Sequence, residues 1–310
     1  MVKMLHRAGH QVAILDNLST GYADAVRYGA LVAGDMADVP LLNRLFTEHR
    51  FDAVMHFAAA SIVGESTVDP AKYYRNNVAN TLTLLDAMVK HGVLRFIFSS
   101  TAATFGTPKQ ALIDEAHAQQ PINPYGRSKL MVENILSDYD AAYNLKSIIL
   151  RYFNAAGADP ECELGERHDP ETHLIPLVLQ VASGRRDSIN VFGTDYDTPD
   201  GTCLRDYIHV TDLCTAHLLA LNRLTENGQS AAYNLGNGEG YSVQEVIDTA
   251  VAVTGKKIPV IKAARRAGDP DRLVADAKRA VTELGWAPQY PDLKTIIRHA
   301  WEWENLCKRK

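Results

Sequence analysis

Residues 11–17 read QVAILDN: a short β-type apolar run that stops on an acidic side chain, Asp16. A helical pattern precedes it (MVKMLHRAGH, 1–10), and longer apolar runs follow it, alternating in type. VPLLNRLFTEH (39–49) has helical spacing, DAVMHFAA (52–59) reads as a strand, and AKYYRNNVANTLTLLDAMVKHG (71–92) as a long helix. Then come RFIFSS (95–100), YGRSKLMVENILSDYDAAY (125–143) and KSIILRYFN (146–154). Strand and helix alternate with short connections, which is the pattern of a parallel sheet covered on both faces.

In such sheets ligands bind beyond the carboxyl ends of the strands. Those ends are Asp16, HFAAAS (56–61), SSTAAT (99–104) and RYFNAAG (151–157). Small residues there ease tight turns; the run of Ser and Thr in SSTAAT calls for more than that. After residue 153 the chain turns polar and rich in turn residues, without clear periodicity through 174 (NAAGADPECELGERHDPETHL, 154–174). The expected fold is therefore α/β, with a doubly wound (Rossmann) parallel sheet over 1–153. A smaller C-terminal α/β domain over 154–310 takes the substrate, with some of its segments returning to the first.

In a dinucleotide-binding sheet the acid that takes the adenosine ribose hydroxyls ends the second strand, about 20 residues after a glycine-rich phosphate loop. Asp16 occupies that place, so the loop and the first strand are expected upstream of Met1. NLGNGEGYS (234–242) offers Gly236, Gly238 and Gly240, but Tyr241 stands where G-x-G-x-x-G needs its third glycine. It reads instead as a loop before a helix, with Ser242 and Glu245 as a capping box.

The bulk composition excludes several classes. Net charge is −5 with acids and bases interspersed, which argues against nucleic acid as a partner. The longest apolar stretch, LIPLVLQVA, is about half a membrane span, and no signal-peptide core is visible. Cys162, Cys203, Cys214 and Cys307 lack metal spacing, and the eleven histidines form no H-E-x-x-H, so no metal is expected. A cytoplasmic protein with reduced thiols is the expectation.

NPYGRSK (123–129) sets Tyr125 and Lys129 four apart at a helix start, on one face. An ammonium near a phenol favours the phenolate, and such a tyrosine exchanges protons with a sugar hydroxyl near neutral pH. Alone the pattern is weak. Thr101, 24 residues earlier at a strand end, strengthens it by offering a hydroxyl to the same oxygen.

ILDNLSTG, GDMAD, HFAAASIVGES, NNVANT, SSTAAT, PYGRSKLMVE and LRYFNAAGA together resemble the extended short-chain dehydrogenase/reductase family. QVASGRR, VFGTDYDTPDGTCLRDYIHV and ARRAGDPDRLVAD are similar to its UDP-hexose 4-epimerase branch, and the likeness spans essentially all 310 residues. The resemblance implies bound NAD and interconversion of UDP-galactose and UDP-glucose through a 4-keto sugar. It implies Tyr125 as acid/base, Lys129 on the nicotinamide ribose, and Thr101 at the sugar hydroxyl. Around the cofactor it places Asp16, Asn17, Leu18, Ser19, Thr20, Gly21, Asp35, Met36, Phe57, Ala58, Ala59, Ser61, Asn76 and Phe153. Toward the nucleotide sugar it places Asn154, His173 and Leu174. Val191 and Phe192 would flank the uracil, Arg205 and Arg266 would hold the diphosphate, and Asp269 would take the uridine ribose. Leu273 stands where residue size decides the acceptance of N-acetylated sugars. The resemblance also implies a homodimer paired through the helices at 71–92 and 125–143.

Ala102 and Ala103 stand where related 4,6-dehydratases carry an Asp-Glu pair, which favours epimerisation. Phe105 replaces a tyrosine frequent in the family. Two alternatives remain open at this point: an inactive remnant that binds a nucleotide sugar or a partner, and another sugar-nucleotide enzyme of the same fold.

Overall fold

The QVAILD stretch forms strand β1 (Ala13–Asp16) after helix α1 (Val2–Arg7). It pairs in parallel with β2 (Ala30–Ala33), from Ala13 opposite Ala30 to Asp16 opposite Ala33. The two carboxyl ends therefore share one edge. The computed structural model describes residues 1–266 and 269–307; Ala267 and Gly268, in the ARRAGDPDRLVAD segment, lie outside them.

Helix α2 (Val39–Glu48) starts where the Asp38 carboxylate accepts the Leu41 N–H at 3.0 Å, and it buries Leu41, Leu42, Leu45 and Phe46 on one face. Strand β3 (Val54–His56) is followed by α3 (Val63–Val68) and by one long helical run. That run comprises α4 (Pro70–Tyr73), a π-helical stretch (Tyr74–Ala79) and α5 (Asn80–Lys90). Strand β4 (Arg95–Thr101) pairs in parallel with β3 and is buried at six consecutive residues, as a strand covered on both faces must be. Helix α6 (Pro124–Tyr143) and strand β5 (Lys146–Tyr152) follow. Leu42 and Phe46 of α2, Leu85 and Met88 of α5, Phe96 and Phe98 of β4, and Val132 and Leu136 of α6 form one core. Burial of each such side chain contributes roughly 1.5–3 kcal/mol.

The chain continues through β6 (Asn154–Ala156), α7 (Leu174–Ala182), β7 (Ile189–Phe192), β8 (Leu204–Arg205) and β9 (Tyr207–His209). Next come α8 (Val210–Glu226), β10 (Ala231–Leu235), β11 (Tyr241–Ser242), α9 (Val243–Thr254) and β12 (Val260–Ala263). Strand β13 (Arg272–Leu273), α10 (Lys278–Leu284) and α11 (Leu293–Cys307) complete it. Strand β10 joins the first sheet, whose order is β10-β5-β4-β3. Among the described residues no strand links this sheet to the β1–β2 pair. The second half packs Ile175, Val178 and Leu179 of α7 with Val246 and Ile247 of α9 and Ile296 and Ile297 of α11.

Two compact units result. One comprises 1–106, 118–151 and 214–233; the other comprises 107–117, 152–213 and 234–310. The glycine loop ahead of α9 has a structural task in the second unit. The Asn237 and Gly238 N–H groups donate to the Asp206 carboxylate at 2.8 and 3.2 Å, and Ala275 N–H adds a third bond at 3.1 Å. A Cβ on Gly236 would run into that carboxylate, so only glycine fits. The capping box is present: Ser242 Oγ accepts the Glu245 N–H at 3.0 Å and the Ser242 N–H donates to Glu245 Oε2 at 2.7 Å.

Candidate active site

At the first edge, Asp16 Oδ1 accepts the Leu18 N–H at 2.7 Å, closing a turn in which Leu18 takes a φ of 57°. Asn17 Nδ2 donates to Asp35 Oδ2 at 2.7 Å, and Asn17 Oδ1 accepts the Ser19 N–H at 3.0 Å. The polar ends of β1 and β2 are thereby tied together. Gly21 packs against the Asp16 carboxylate, where a Cβ would stand 3.1 Å from Oδ2. Thr20 is exposed and Met36 is buried beside this edge in sequence. A carboxylate with one oxygen committed to the chain and a small residue over the other suits a vicinal diol.

Phe57, Ala58 and Ser61 are exposed after β3, and Ala59 is half-buried. Phe57 packs its ring 4.8 Å from that of His217. What holds this loop is Asn77, a residue the sequence reading passes over in favour of its neighbour Asn76. Asn77 is buried, accepts the Ala60 N–H at 2.9 Å, and donates to Ala60 O at 2.9 Å and Ser128 Oγ at 3.0 Å. Asn76 Nδ2 itself donates to Asn77 Oδ1 at 3.0 Å. The NNVANT motif contained the signal, but a partner 51 residues away cannot be read from it.

Thr101 ends β4, and its Oγ1 accepts the Ala103 N–H at 3.1 Å, so it caps the short 3-10 turn Ala102–Thr104. Helix α6 begins with Asn123 as N-cap, which accepts the Gly126 N–H at 2.8 Å, and Pro124 in the first turn. This fixes Tyr125 at the helix start. A Cβ on Gly126 would run into the Ala103 carbonyl oxygen, so the glycine allows the start of α6 to lie against the turn after Thr101. The Tyr125 ring stands edge-on to Tyr73 at 6.4 Å, and Tyr73 OH lies 2.6 Å from Ile62 O and 2.8 Å from Glu65 Oε2.

One turn along α6, Lys129 is buried. Its Nζ donates to Ser99 O at 2.8 Å and sits 4.7 Å from the centre of the Phe98 ring. Burial lowers its pKa to about 7. Of its three N–H donors, one is used on Ser99, which leaves two for a ligand such as a ribose. The residues present therefore fit a dinucleotide at both riboses: Asp16 for one, Lys129 for the other. The sequence reading also missed the charged layer behind this site. Glu133 and Arg151 are both buried, with Arg151 Nη2 donating to Glu133 Oε2 at 2.7 Å and Arg151 Nε to both oxygens at 3.1 Å. Ser100 Oγ donates to Glu133 Oε1 at 2.5 Å, and Gln119 Nε2 to Oε2 at 2.9 Å. The Arg151 guanidinium stacks 5.5 Å over the ring of Phe105, which is fully buried, so this phenylalanine serves packing.

The second unit gathers another set. Strands β8 and β13 are parallel with Leu273 opposite Arg205, and Arg205 forms an ion pair with Asp269. The Arg266 guanidinium lies 4.0 Å over the ring of Phe192, at the end of β7, whose neighbour Val191 is buried. Asn154 Nδ2 donates to Asp206 O at 2.9 Å, which ties β6 to the β8–β9 segment. Phe153, just before it, is half-buried. His173 precedes α7 as its N-cap residue and Leu174 opens the helix. His173 is drawn into a cluster with Glu166, His168 and Glu171, whose carboxylate and imidazole donor atoms all lie within 4.8 Å of one another. Hydrogen bonds to Glu166 first, and to Glu171, raise the pKa of His168 to about 9 and that of His173 to about 10. The sequence signal was E-x-H-x-x-E-x-H (166–173), overlooked because it matches no established spacing.

The sequence model of the NAD dependent epimerase/dehydratase family matches residues 1–236. The chain is 52% identical over 302 residues to the UDP-glucose 4-epimerase of Halalkalibacterium halodurans, covering 97% of this chain and 90% of that protein. It superposes with a TM-score of 0.95 on the crystal structure of UDP-glucose 4-epimerase from Brucella ovis in complex with NAD, at 51% identity, covering 98% of this chain and 94% of that one. A UDP-glucose 4-epimerase structure from Stenotrophomonas maltophila, with bound NAD and formylated UDP-arabinopyranose, also gives 0.95, at 39% identity and with the same coverage.

Proposed function

The chain belongs to the NAD dependent epimerase/dehydratase family, and on that premise we propose that it is a UDP-glucose 4-epimerase, interconverting UDP-galactose and UDP-glucose with NAD as resident cofactor. The observation that carries the reading is the arrangement around α6. A buried lysine is fixed on Ser99 O one turn after Tyr125, whose helix start is packed on the turn that follows Thr101. NAD, when bound, supplies the hydride acceptor and donor at C4 of the sugar. Tyr125 takes the 4-hydroxyl proton and later returns it, and the Lys129 cation favours the phenolate. The Thr101 hydroxyl orients the same oxygen. Asp16 and Asn17, with residues 18–21, hold the adenosine ribose, Asp35 and Met36 flank the adenine, and Phe57, Ala58, Ala59, Ser61, Asn76 and Phe153 line the cofactor. In the second unit Arg205 and Arg266 meet the diphosphate, because a planar guanidinium donates paired bonds to phosphate oxygens. Asp269 meets the uridine ribose, Val191 and Phe192 the uracil, and Asn154, His173, Leu174 and Leu273 the hexose side. The structural relatives with bound NAD and with a UDP-sugar support the cofactor and the substrate class.

The same reading makes the protein a cytoplasmic homodimer. Val63 and Val68 of α3 and Met131 of α6 are exposed apolar side chains available to a partner copy. The test is conversion of UDP-galactose to UDP-glucose by the purified chain supplied with NAD. Tyr125→Phe and Lys129→Met serve as controls, and light scattering reports the oligomer. UDP binding without turnover would overturn the enzymatic reading in favour of a binding remnant.

A further inference from the structure

We propose that Glu166, His168, Glu171 and His173 form a binding site for one divalent transition-metal ion of the zinc class. Their four donor atoms lie within 4.8 Å of one another. His173 Nδ1 is 2.7 Å from Glu166 Oε1 and 2.9 Å from Glu171 Oε1, while His168 Nδ1 is 3.2 Å from Glu166 Oε1 and 3.7 Å from Glu171 Oε2. With zinc–ligand bonds of about 2.0–2.1 Å, neighbouring ligands of a tetrahedron stand roughly 3.3 Å apart. The four separations straddle that value, so small side-chain rotations admit the ion. Both histidines face the two carboxylates through Nδ1. Glu171 is already oriented, since its Oε1 accepts the backbone N–H of Thr172 at 2.7 Å and of His173 at 2.9 Å. Outer hydrogen bonds of this kind characterise ligating carboxylates.

The donor set selects the ion. Two imidazoles with two carboxylates suit zinc, cobalt or nickel, whereas calcium and magnesium take oxygen alone. The two imidazole rings stand with their centres 5.1 Å apart, and a dication offsets the charge of the two carboxylates between them. The ion would tie the segment 166–171 to the start of α7 and leave Nε2 of His173 for other contacts.

The full-length chain, stripped with chelator, is titrated with zinc by calorimetry and with cobalt by visible absorption. One ion per chain is expected, with the d–d bands of a nitrogen–oxygen site. His168→Ala and Glu171→Gln should each weaken binding by at least about 100-fold. Circular dichroism reports whether these variants fold. Crystals of the wild-type chain soaked in zinc give the independent measurement: anomalous density at the four side chains is expected. No binding, binding unaltered in both folded variants, or density at any other place overturns the proposal.

Discussion

Replacing Glu133 by alanine tests the charged layer behind the active site. Glu133 and Arg151 are 5% and 6% exposed, so neither charge is relieved by water. In the intact chain the Glu133 carboxylate receives Arg151 twice over, Ser100 and Gln119. Without it, the Arg151 cation retains the Gln119 Oε1 contact at 3.3 Å and the Phe105 ring. Removing one partner of a buried pair costs about 3–5 kcal/mol, a large part of a total stability of roughly 5–15 kcal/mol. At about 2–4 °C per kcal/mol for a cooperative unit of this size, the melting temperature should fall by roughly 6–20 °C. Urea unfolding followed by circular dichroism measures the change directly. The decisive arm is the double variant Glu133→Leu with Arg151→Met, which removes both charges and should recover most of the loss. A cost below about 1 kcal/mol for Glu133→Ala, or a double variant no better than the sum of its singles, would refute the reasoning.

Tyr125→Phe should lower kcat for UDP-galactose by about 10²–10⁴-fold while leaving UDP binding intact; a loss smaller than about fivefold would remove Tyr125 as acid/base. Lys129→Met should trade activity for stability, in a pH-dependent way. Burial holds Lys129 at a pKa of about 7 in the folded chain against an ordinary 10.5, so between those values the unfolded chain binds the extra proton and wild-type stability rises with pH. The variant lacks that slope, so its gain over wild type should be larger at pH 6 than at pH 9.5 in urea titrations, and equal gains would refute the assignment. Gly126→Ala should destabilise by about 1–3 kcal/mol and depress turnover, because the new methyl meets the Ala103 carbonyl. Unchanged melting and unchanged kcat would show that the helix start can shift freely.

What the sequence disclosed depended on the range of the interaction. The strand ending on Asp16, the buried run of β4, and the Ser242–Glu245 capping box rest on neighbours within a few residues, and periodicity exposes them. Family motifs extended this to the Tyr125–Lys129 pair and to the arginines of the second unit. The contacts that hold those residues in place are of another kind. Asn77 meets Ser128 across 51 positions, Glu133 meets Arg151 across 18, and Asp206 meets the glycine loop across about 30. No local pattern marks such partners, because only the fold brings them together. The glycine loop shows the point well. Its composition invites a phosphate, yet its amides already hold the chain's own carboxylate.

The Arg205–Asp269 ion pair has a consequence for selectivity. On the proposed assignments its two members address different parts of one ligand, the diphosphate and the ribose. With no ligand they neutralise each other, so neither member of the pair is presented bare. Sulfate or inorganic phosphate can satisfy the arginine only by stranding the aspartate, and a simple sugar diol does the reverse. A molecule that carries both functions at the right separation compensates both losses at once. On those assignments the pair favours a molecule that carries both functions over one that carries either alone.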